Sequence, residues 1–134
     1  MKILLLGVGM QGKAALYDLV QQDSVSEIIA ADLDLKALQA HVADKEYGQK
    51  VRCERVNVAD SENLGKLITE DVDVIINLLP KQFINTIAEA ALKHGVHMTF
   101  TSYITPELAA MADDIKAKNI TILPEFGLDP GIDL

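Results

Sequence analysis

The chain has 134 residues, and its 12 lysine and arginine residues against 20 aspartate and glutamate residues give a formal net charge of −8 at pH 7. This acidic balance disfavours nucleic-acid and anionic-membrane partners, because those affinities rest largely on neutralising phosphate charge. Hydrophobic residues make up 49% of the chain, which at this length predicts a single domain with one core. The one cysteine allows no internal disulfide, which is typical of a reducing compartment, so we expect a cytoplasmic protein. No apolar run approaches the ~20 residues of a membrane span, so we expect a soluble one.

Short apolar runs alternate with helical patterns along the whole chain. The predicted elements are, in chain order, a buried strand at Ile3–Leu6, a helix from about Gln11 to Gln22, a strand at Glu27–Asp32, a helix capped by Asp34, a strand at Val51–Val58 exposed on one face or near an edge, a short helix capped by Ser61, a strand at Val72–Leu79, a helix from Pro80 to near Gly95, a strand at Val96–Phe100, one helix from Thr105 to about Lys118, and a strand at Ile120–Leu123. Six strands joined by helices predict a parallel sheet with right-handed crossovers. We therefore expect a doubly wound α/β (Rossmann) domain with strand order 3-2-1-4-5-6.

A glycine motif of the form G-x-G-x-x-G follows the first strand, at residues 7–12. In such a turn the first glycine permits a tight bend, the second lets the backbone approach a pyrophosphate, and the third lets helix and strand pack closely. The helix that follows offers free N–H groups and a positive dipole end to phosphate. The residues predicted to contact a dinucleotide here are Gly7, Gly9, Met10, Gln11 and Gly12.

An acidic residue, Asp32, ends the second predicted strand twenty residues beyond Gly12. This is the position at which a carboxylate accepts hydrogen bonds from the adenosine ribose hydroxyls. No arginine or lysine adjoins Asp32 along the chain, so a 2′-phosphate would meet a carboxylate. We predict NAD rather than NADP. Two alternatives stay open: a flavin or nucleoside monophosphate as the ligand, or a domain of this fold that has lost its ligand.

Further candidates lie at the carboxyl ends of later strands, where ligands of such sheets bind. Asp60 is placed to sit by the adenine or to act as a plain turn residue. The segment Leu78, Leu79 and Pro80 ends the fourth strand, where the chain would pass the pyrophosphate and nicotinamide ribose. Ser102 follows the fifth strand and offers a hydroxyl toward the nicotinamide end.

Other reactive residue types show no catalytic or metal-binding pattern. The three histidines have no metal-ligand spacing with one another or with Cys53, so we predict no metal site. His94 is explained by the dipole at a helix end, and Cys53 by packing. The sequence contains no complete catalytic constellation.

Several segments together carry a family resemblance. GVGMQG at residues 7–12 is followed by VIINLLP at 74–80, AALKHGVH at 90–97, TSYITPEL at 101–108 and EFGLDPGID at 125–133. The chain thereby resembles, over essentially its whole length, the N-terminal NAD(P)-binding half of the saccharopine dehydrogenase family. The TSYITP and GLDPGID segments are more specific to that family than the glycine motif.

The resemblance implies a two-domain oxidoreductase that moves hydride between a nicotinamide and the carbon of a C–N bond in an amino acid, through an imine. It implies that residues 1–124 are the cofactor domain and 125–134 a loop leading to a substrate and homodimerisation domain. On this view Asp129 is a catalytic or substrate-site residue, although Asp129-Pro130-Gly131 also suits a plain β-turn. We expect these 134 residues to bind NAD without catalysing a reaction alone.

Two departures from the family pattern, and one difference from relatives of the lysine 6-dehydrogenase type, leave the substrate open within the amino acids. Leu134 stands where many saccharopine-forming members have histidine, and Asp32 stands where NADP-preferring members have a basic residue. Asp129 differs from the small residue expected of relatives that act on lysine. The alternatives are a stand-alone NAD-sensing regulatory module, which the GLDPGID segment disfavours, and a remnant that binds nothing.

Overall fold

Within residues 1–126, which the computed structural model describes, six parallel strands form one sheet in the order β3-β2-β1-β4-β5-β6. The strands are β1 (Lys2–Leu6), β2 (Glu27–Asp32), β3 (Val51–Arg55), β4 (Val74–Asn77), β5 (His97–Phe100) and β6 (Ile122–Leu123). The helices are α1 (Met10–Leu19), α2 (Leu35–Asp44), α3 (Ser61–Leu67), α4 (Ile84–His94), α5 (Pro106–Ala110) and α6 (Ala112–Ala117), with a 3₁₀ turn at Lys81–Phe83. The predicted doubly wound fold and strand order are confirmed.

The central strand β1 is buried on both faces because helices cover the sheet on both sides. Leu4 and Leu6 pack into one core cluster with side chains of α3, α4 and α5. Ile3 and Leu5 point the opposite way, into a second cluster with side chains of α1 and α2. The continuous apolar run of β1 is thus what a parallel strand between two helical layers requires. No helix of residues 1–126 is both long and apolar enough to cross a membrane.

Helix caps place the loops at the carboxyl edge of the sheet. Asp34 caps α2 by accepting from the Ala37 N–H, and Thr105 caps α5 by accepting from the Leu108 N–H, both as predicted. The predicted cap at Ser61 is wrong. Asp60 occupies that position, and its carboxylate accepts from two N–H groups at the start of α3. An aspartate immediately before a serine presents two acceptable caps, and the geometry of the turn chooses the first.

Several predicted element boundaries are wrong, some for local reasons and one beside a long-range contact. The single helix predicted from Thr105 to Lys118 is two helices, because Met111 has ψ near 1° and its N–H bonds to the Leu108 carbonyl. Helix α1 stops at Leu19, where Lys50 caps the following carbonyls of Val20 and Gln22. Strand β3 ends at Arg55 rather than Val58, since the chain there turns toward α3.

A polar network closes the amino edge of the sheet around Lys2. Its ammonium group, on a side chain only 11% exposed, lies 3.1 Å from Asp71 and 3.5 Å from Glu27. Thr69 also hydrogen-bonds Asp71, and this bond, followed by the one from Lys2, holds the pKa of Asp71 below its ordinary value of 3.8. The network joins β1 and β2 to the turn before β4.

We predict that Asp71→Asn lowers Tm at pH 7, and that the difference from the natural protein disappears in acid. A carboxyl group with a depressed folded-state pKa adds stability above its unfolded value, and that stability is lost as pH falls through the folded value. Thermal unfolding followed by circular dichroism from pH 7 to pH 2 measures this convergence. Asp23→Asn is the control, since Asp23 is exposed and its side chain makes no polar contact within the described residues. Parallel Tm curves for the Asp71 variant and the natural protein would contradict the prediction.

Candidate functional site

The glycine loop joins β1 to α1 at the carboxyl edge of the sheet. Gly7 has φ of +91°, and a Cβ there would lie 3.0 Å from backbone atoms of Leu78 and Leu79. A Cβ on Gly12 would lie only 2.2 Å from the Gly7 carbonyl oxygen. Both positions therefore require glycine, one for a turn against the loop after β4 and the other for close packing of α1 on that turn.

Gly9, the N-cap residue of α1, is different because a Cβ there would meet nothing within 4 Å. No side chain caps this helix, and the first helical N–H with a backbone acceptor is that of Lys13, which bonds to the Gly9 carbonyl at 2.9 Å. Among residues 1–126, the N–H groups of Gly9, Met10 and Gln11 have no acceptor, and all three residues are exposed. The loop therefore presents unsatisfied donors at the positive end of a helix beside open space, which suits an anion.

Asp32 lies next to this loop at the end of β2. Its Oδ2 accepts from the Val8 N–H at 2.7 Å, and its Oδ1 accepts from the Asp34 N–H at 3.2 Å. A carboxylate has about four lone-pair sites, so two hydrogen bonds leave capacity for external hydroxyl donors. The pairing of β2 with β3 places Arg55 beside Asp32 in the sheet register. This basic neighbour lies 23 residues away along the chain, so the sequence around Asp32 does not reveal it.

An apolar slot of about 230 Å³ opens between the carboxyl ends of β2, β3 and β4. It is lined by Leu33, Val56, Asn57, Val58, Leu79, Pro80 and Phe83. Leu33 directly follows Asp32, so the slot lies within one residue of the candidate ribose-binding carboxylate. A flat, weakly polar ring such as adenine suits walls of this kind.

The remaining predicted residues occupy different positions. Asp60 caps α3 and lines a neighbouring polar cavity of about 330 Å³, which shares Asn57 with the apolar slot. Leu78 donates its N–H to the Leu6 carbonyl, while Leu79 and Pro80 line the slot. Ser102 lies beyond β5, where its carbonyl accepts from the Glu125 N–H. Asp129 lies outside the described residues.

Leu33, Val58 and Phe83 were missed as candidates by sequence reasoning. Leu33 has a signal in the sequence, since it is an apolar residue directly after Asp32 at the end of a predicted strand, and the structure leaves it 60% exposed. The positions of Val58 and Phe83 depend on how three separate loops meet, which spacing along the chain does not encode.

The Cys53 thiol and the possible metal ligands in the described part of the chain were also considered as sites of chemistry. Partial burial, followed by the charge of Glu54, raises the pKa of the Cys53 thiol above its ordinary value of 9.0, so the thiol is protonated at neutral pH. Residues 1–126 hold no group of three or more His, Cys, Asp or Glu side chains that could bind a metal ion.

Comparison with known proteins assigns the family. The family described as "Saccharopine dehydrogenase NADP binding domain" matches residues 3–123. The chain belongs to this family. The resemblance to the dinucleotide-binding part of the saccharopine dehydrogenase family, inferred from the sequence segments, is thereby confirmed.

Two curated relatives show the extent of the match. The chain is 30% identical over 131 residues to saccharopine dehydrogenase [NADP(+), L-glutamate-forming] of Saccharomyces cerevisiae, which covers 98% of this chain and 28% of the relative. It is 37% identical over 106 residues to alpha-aminoadipic semialdehyde synthase of Arabidopsis thaliana, which covers 79% of this chain and 10% of the relative. The chain thus spans little more than a quarter of the first relative and a tenth of the second.

Solved structures agree with this assignment. Apo saccharopine dehydrogenase (L-Glu forming) from Saccharomyces cerevisiae superposes with a TM-score of 0.85 at 32% identity, covering 98% of this chain and 28% of that one. Triphenylmethane reductase of Citrobacter sp., solved in complex with NADP(H), gives a TM-score of 0.65 at 20% identity over 92% of this chain and 48% of that one. The second likeness shows the fold alone.

Proposed function

We propose that the chain binds a nicotinamide dinucleotide, with the pyrophosphate over the glycine loop. The observation that carries this proposal is the set of unsatisfied N–H groups at Gly9, Met10 and Gln11 beside open space, which a side chain at Gly9 would occupy. Backbone donors and a helix dipole bind an anion locally, so a net charge of −8 does not prevent binding. The family description supports the same class of ligand.

In this proposal the adenosine half extends from the loop across Asp32 into the apolar slot. The free lone pairs of Asp32 accept from the ribose hydroxyls, and the adenine packs between Leu33 and Leu79. Our prediction that Asp32 selects NAD over NADP rests on the repulsion between its carboxylate and a 2′-phosphate. The comparisons do not favour this preference, since the family description and the yeast relative's name both carry NADP.

We further propose that the chain is the cofactor domain of an oxidoreductase acting on the C–N bond of an amino acid. A bound nicotinamide would supply the hydride chemistry. Residues 1–124 form the cofactor domain in this proposal, and 125–134 lead to a second domain that carries most substrate contacts and a homodimer interface. Asp129 would act at the cleft between the domains, as a substrate-site or acid–base residue. The names of the relatives, which are enzymes of amino-acid metabolism, support this assignment.

An NMR titration with NAD tests where the ligand binds. On a ¹⁵N-labelled sample, the backbone amides of Gly9, Met10 and Gln11 should shift most, since their N–H groups gain acceptors. Amides lining the apolar slot should shift next. Shifts centred on the polar cavity around Lys66 would overturn the proposed site. Parallel titrations with FMN and AMP separate the open alternatives, because neither offers a pyrophosphate joined to two nucleosides.

A further inference from the structure

A buried amide, that of Asn77, stands at the carboxyl end of β4. Asn77 is 2% exposed, and its neighbours in the sheet register are Leu6 and Phe100, which are also buried. Its Nδ2 group has no hydrogen-bond partner within residues 1–126 and is itself fully buried. A buried donor without an acceptor is costly to the fold, so an apolar residue of similar size would suit this position better.

The other half of the same amide makes a specific contact. The Asn77 Oδ1 accepts from the Leu79 N–H at 3.1 Å, which closes a short turn at residues 77–79. The preceding N–H, that of Leu78, bonds to the Leu6 carbonyl at 2.8 Å and so continues the strand pairing. Asn77 is therefore the group that turns the chain out of the sheet directly after β4.

This turn touches both halves of the proposed dinucleotide site. A Cβ on Gly7 would lie only 3.0 Å from backbone atoms of Leu78 and Leu79, so the turn packs directly against the glycine loop. On its other side, Leu79 and Pro80 form a wall of the apolar slot. A displacement of this turn would therefore change both the shape of the apolar slot and the packing against the glycine loop.

We propose that Asn77 is a positioning residue for the dinucleotide, retained for its oxygen at the expense of fold stability. The inference rests on the proposed function. The oxygen fixes the turn at 77–79 and hence the slot wall, while the nitrogen remains an uncompensated donor in an apolar cluster. When the amide is removed, cofactor affinity should therefore fall without a loss of stability, which a purely structural residue would not produce.

The test compares Asn77→Leu with Asn77→Ser, using Tm for stability and calorimetric Kd for NAD. For Asn77→Leu we expect a Tm equal to or above that of the natural protein and NAD binding about tenfold weaker, as fits the loss of one hydrogen bond that holds the turn. For Asn77→Ser we expect a Kd within about threefold of the natural protein, because a hydroxyl oxygen can accept the Leu79 N–H. Hydrogen exchange at the Leu79 amide should be fast in the leucine variant and slow in the serine variant.

Several outcomes would overturn the inference. One is NAD binding of natural strength in Asn77→Leu, and another is binding in Asn77→Ser as weak as in the leucine variant. If Asn77→Leu does not fold, Asn77→Ala replaces it, and equal Kd values for the alanine and serine variants contradict the inference in the same way. A natural protein that binds neither NAD nor NADP overturns the proposed function and this inference with it, whereas a natural protein that binds while the variants fail to differ overturns the inference alone.

Discussion

Gly9→Ala is expected to weaken NAD binding at least a hundredfold while leaving the fold intact. A Cβ at this position meets no protein atom within 4 Å, and the φ of −80° is one that alanine adopts. Stability should change by less than about 1 kcal/mol, since the weaker helix cap and the stiffer unfolded chain act in opposite directions. The methyl group would instead occupy the space through which a pyrophosphate approaches the Gly9 N–H. Calorimetry with NAD, alongside thermal unfolding, measures both quantities.

Gly12→Ala and Gly48→Ala are the matched comparisons. At Gly12 the added Cβ would lie 2.2 Å from a backbone carbonyl oxygen, so the loop must shift, and we expect a loss of about 3 kcal/mol and a Tm lower by about 10 °C. At Gly48 the Cβ also meets nothing within 4 Å, but the residue lies away from the loop, so neither Tm nor Kd should change appreciably. Unchanged NAD affinity in Gly9→Ala would contradict the proposed pyrophosphate position.

Asp32→Asn is expected to change the preference between NAD and NADP by about a hundredfold. The asparagine oxygen can still accept from the Val8 N–H, so the glycine loop keeps its support. Without the charge, the hydrogen bonds to the ribose hydroxyls weaken, and NAD should bind about tenfold less tightly. The same loss removes the repulsion against a 2′-phosphate, and NADP should bind about tenfold more tightly. Competition titrations of the two cofactors at one ionic strength give the ratio.

Two further variants, Asp32→Ala and Asp34→Asn, separate the effect of the Asp32 charge from the effect of its hydrogen bond with the Val8 N–H. The alanine variant loses both the charge and the Val8 contact, so it should bind NAD more weakly than the asparagine variant and discriminate less against NADP. At Asp34 an asparagine still caps α2, so removing that charge should change either Kd by less than about threefold. An unchanged NAD-to-NADP ratio in Asp32→Asn would show that this carboxylate does not set the cofactor preference.

Much of the fold follows from patterns that act over short distances in the sequence. The run at Ile3–Leu6 can only be satisfied between two helical layers, and the caps at Asp34 and Thr105 depend on a few neighbouring residues. Some of what could not be predicted is local, such as the break between α5 and α6 at Met111, and some involves partners far along the chain. The end of α1 is fixed by Lys50, thirty residues beyond Val20, and no local signal near α1 announces it.

The candidate site also has one part that the sequence indicated and another part that it did not. The glycine spacing and the position of Asp32 indicated a dinucleotide loop, and the geometry gives each glycine a distinct environment. The apolar slot depends on three loops meeting, and the pairing of Asp32 with Arg55 depends on sheet register, so neither is visible along the chain. The predicted roles of Asp129, of the second domain and of a homodimer, and the alternative of a stand-alone sensor, stay predictions.

Calorimetric titration of the purified chain with NAD and, separately, with NADP tests the central claim most directly. We predict saturable binding of one molecule per chain, tighter for NAD than for NADP, and lost in Gly9→Ala. Tighter binding of NADP would contradict the selective role of Asp32 while leaving the loop assignment in place. Absence of heat and of any Tm increase with either dinucleotide, on protein shown to be folded, would contradict the account as a whole.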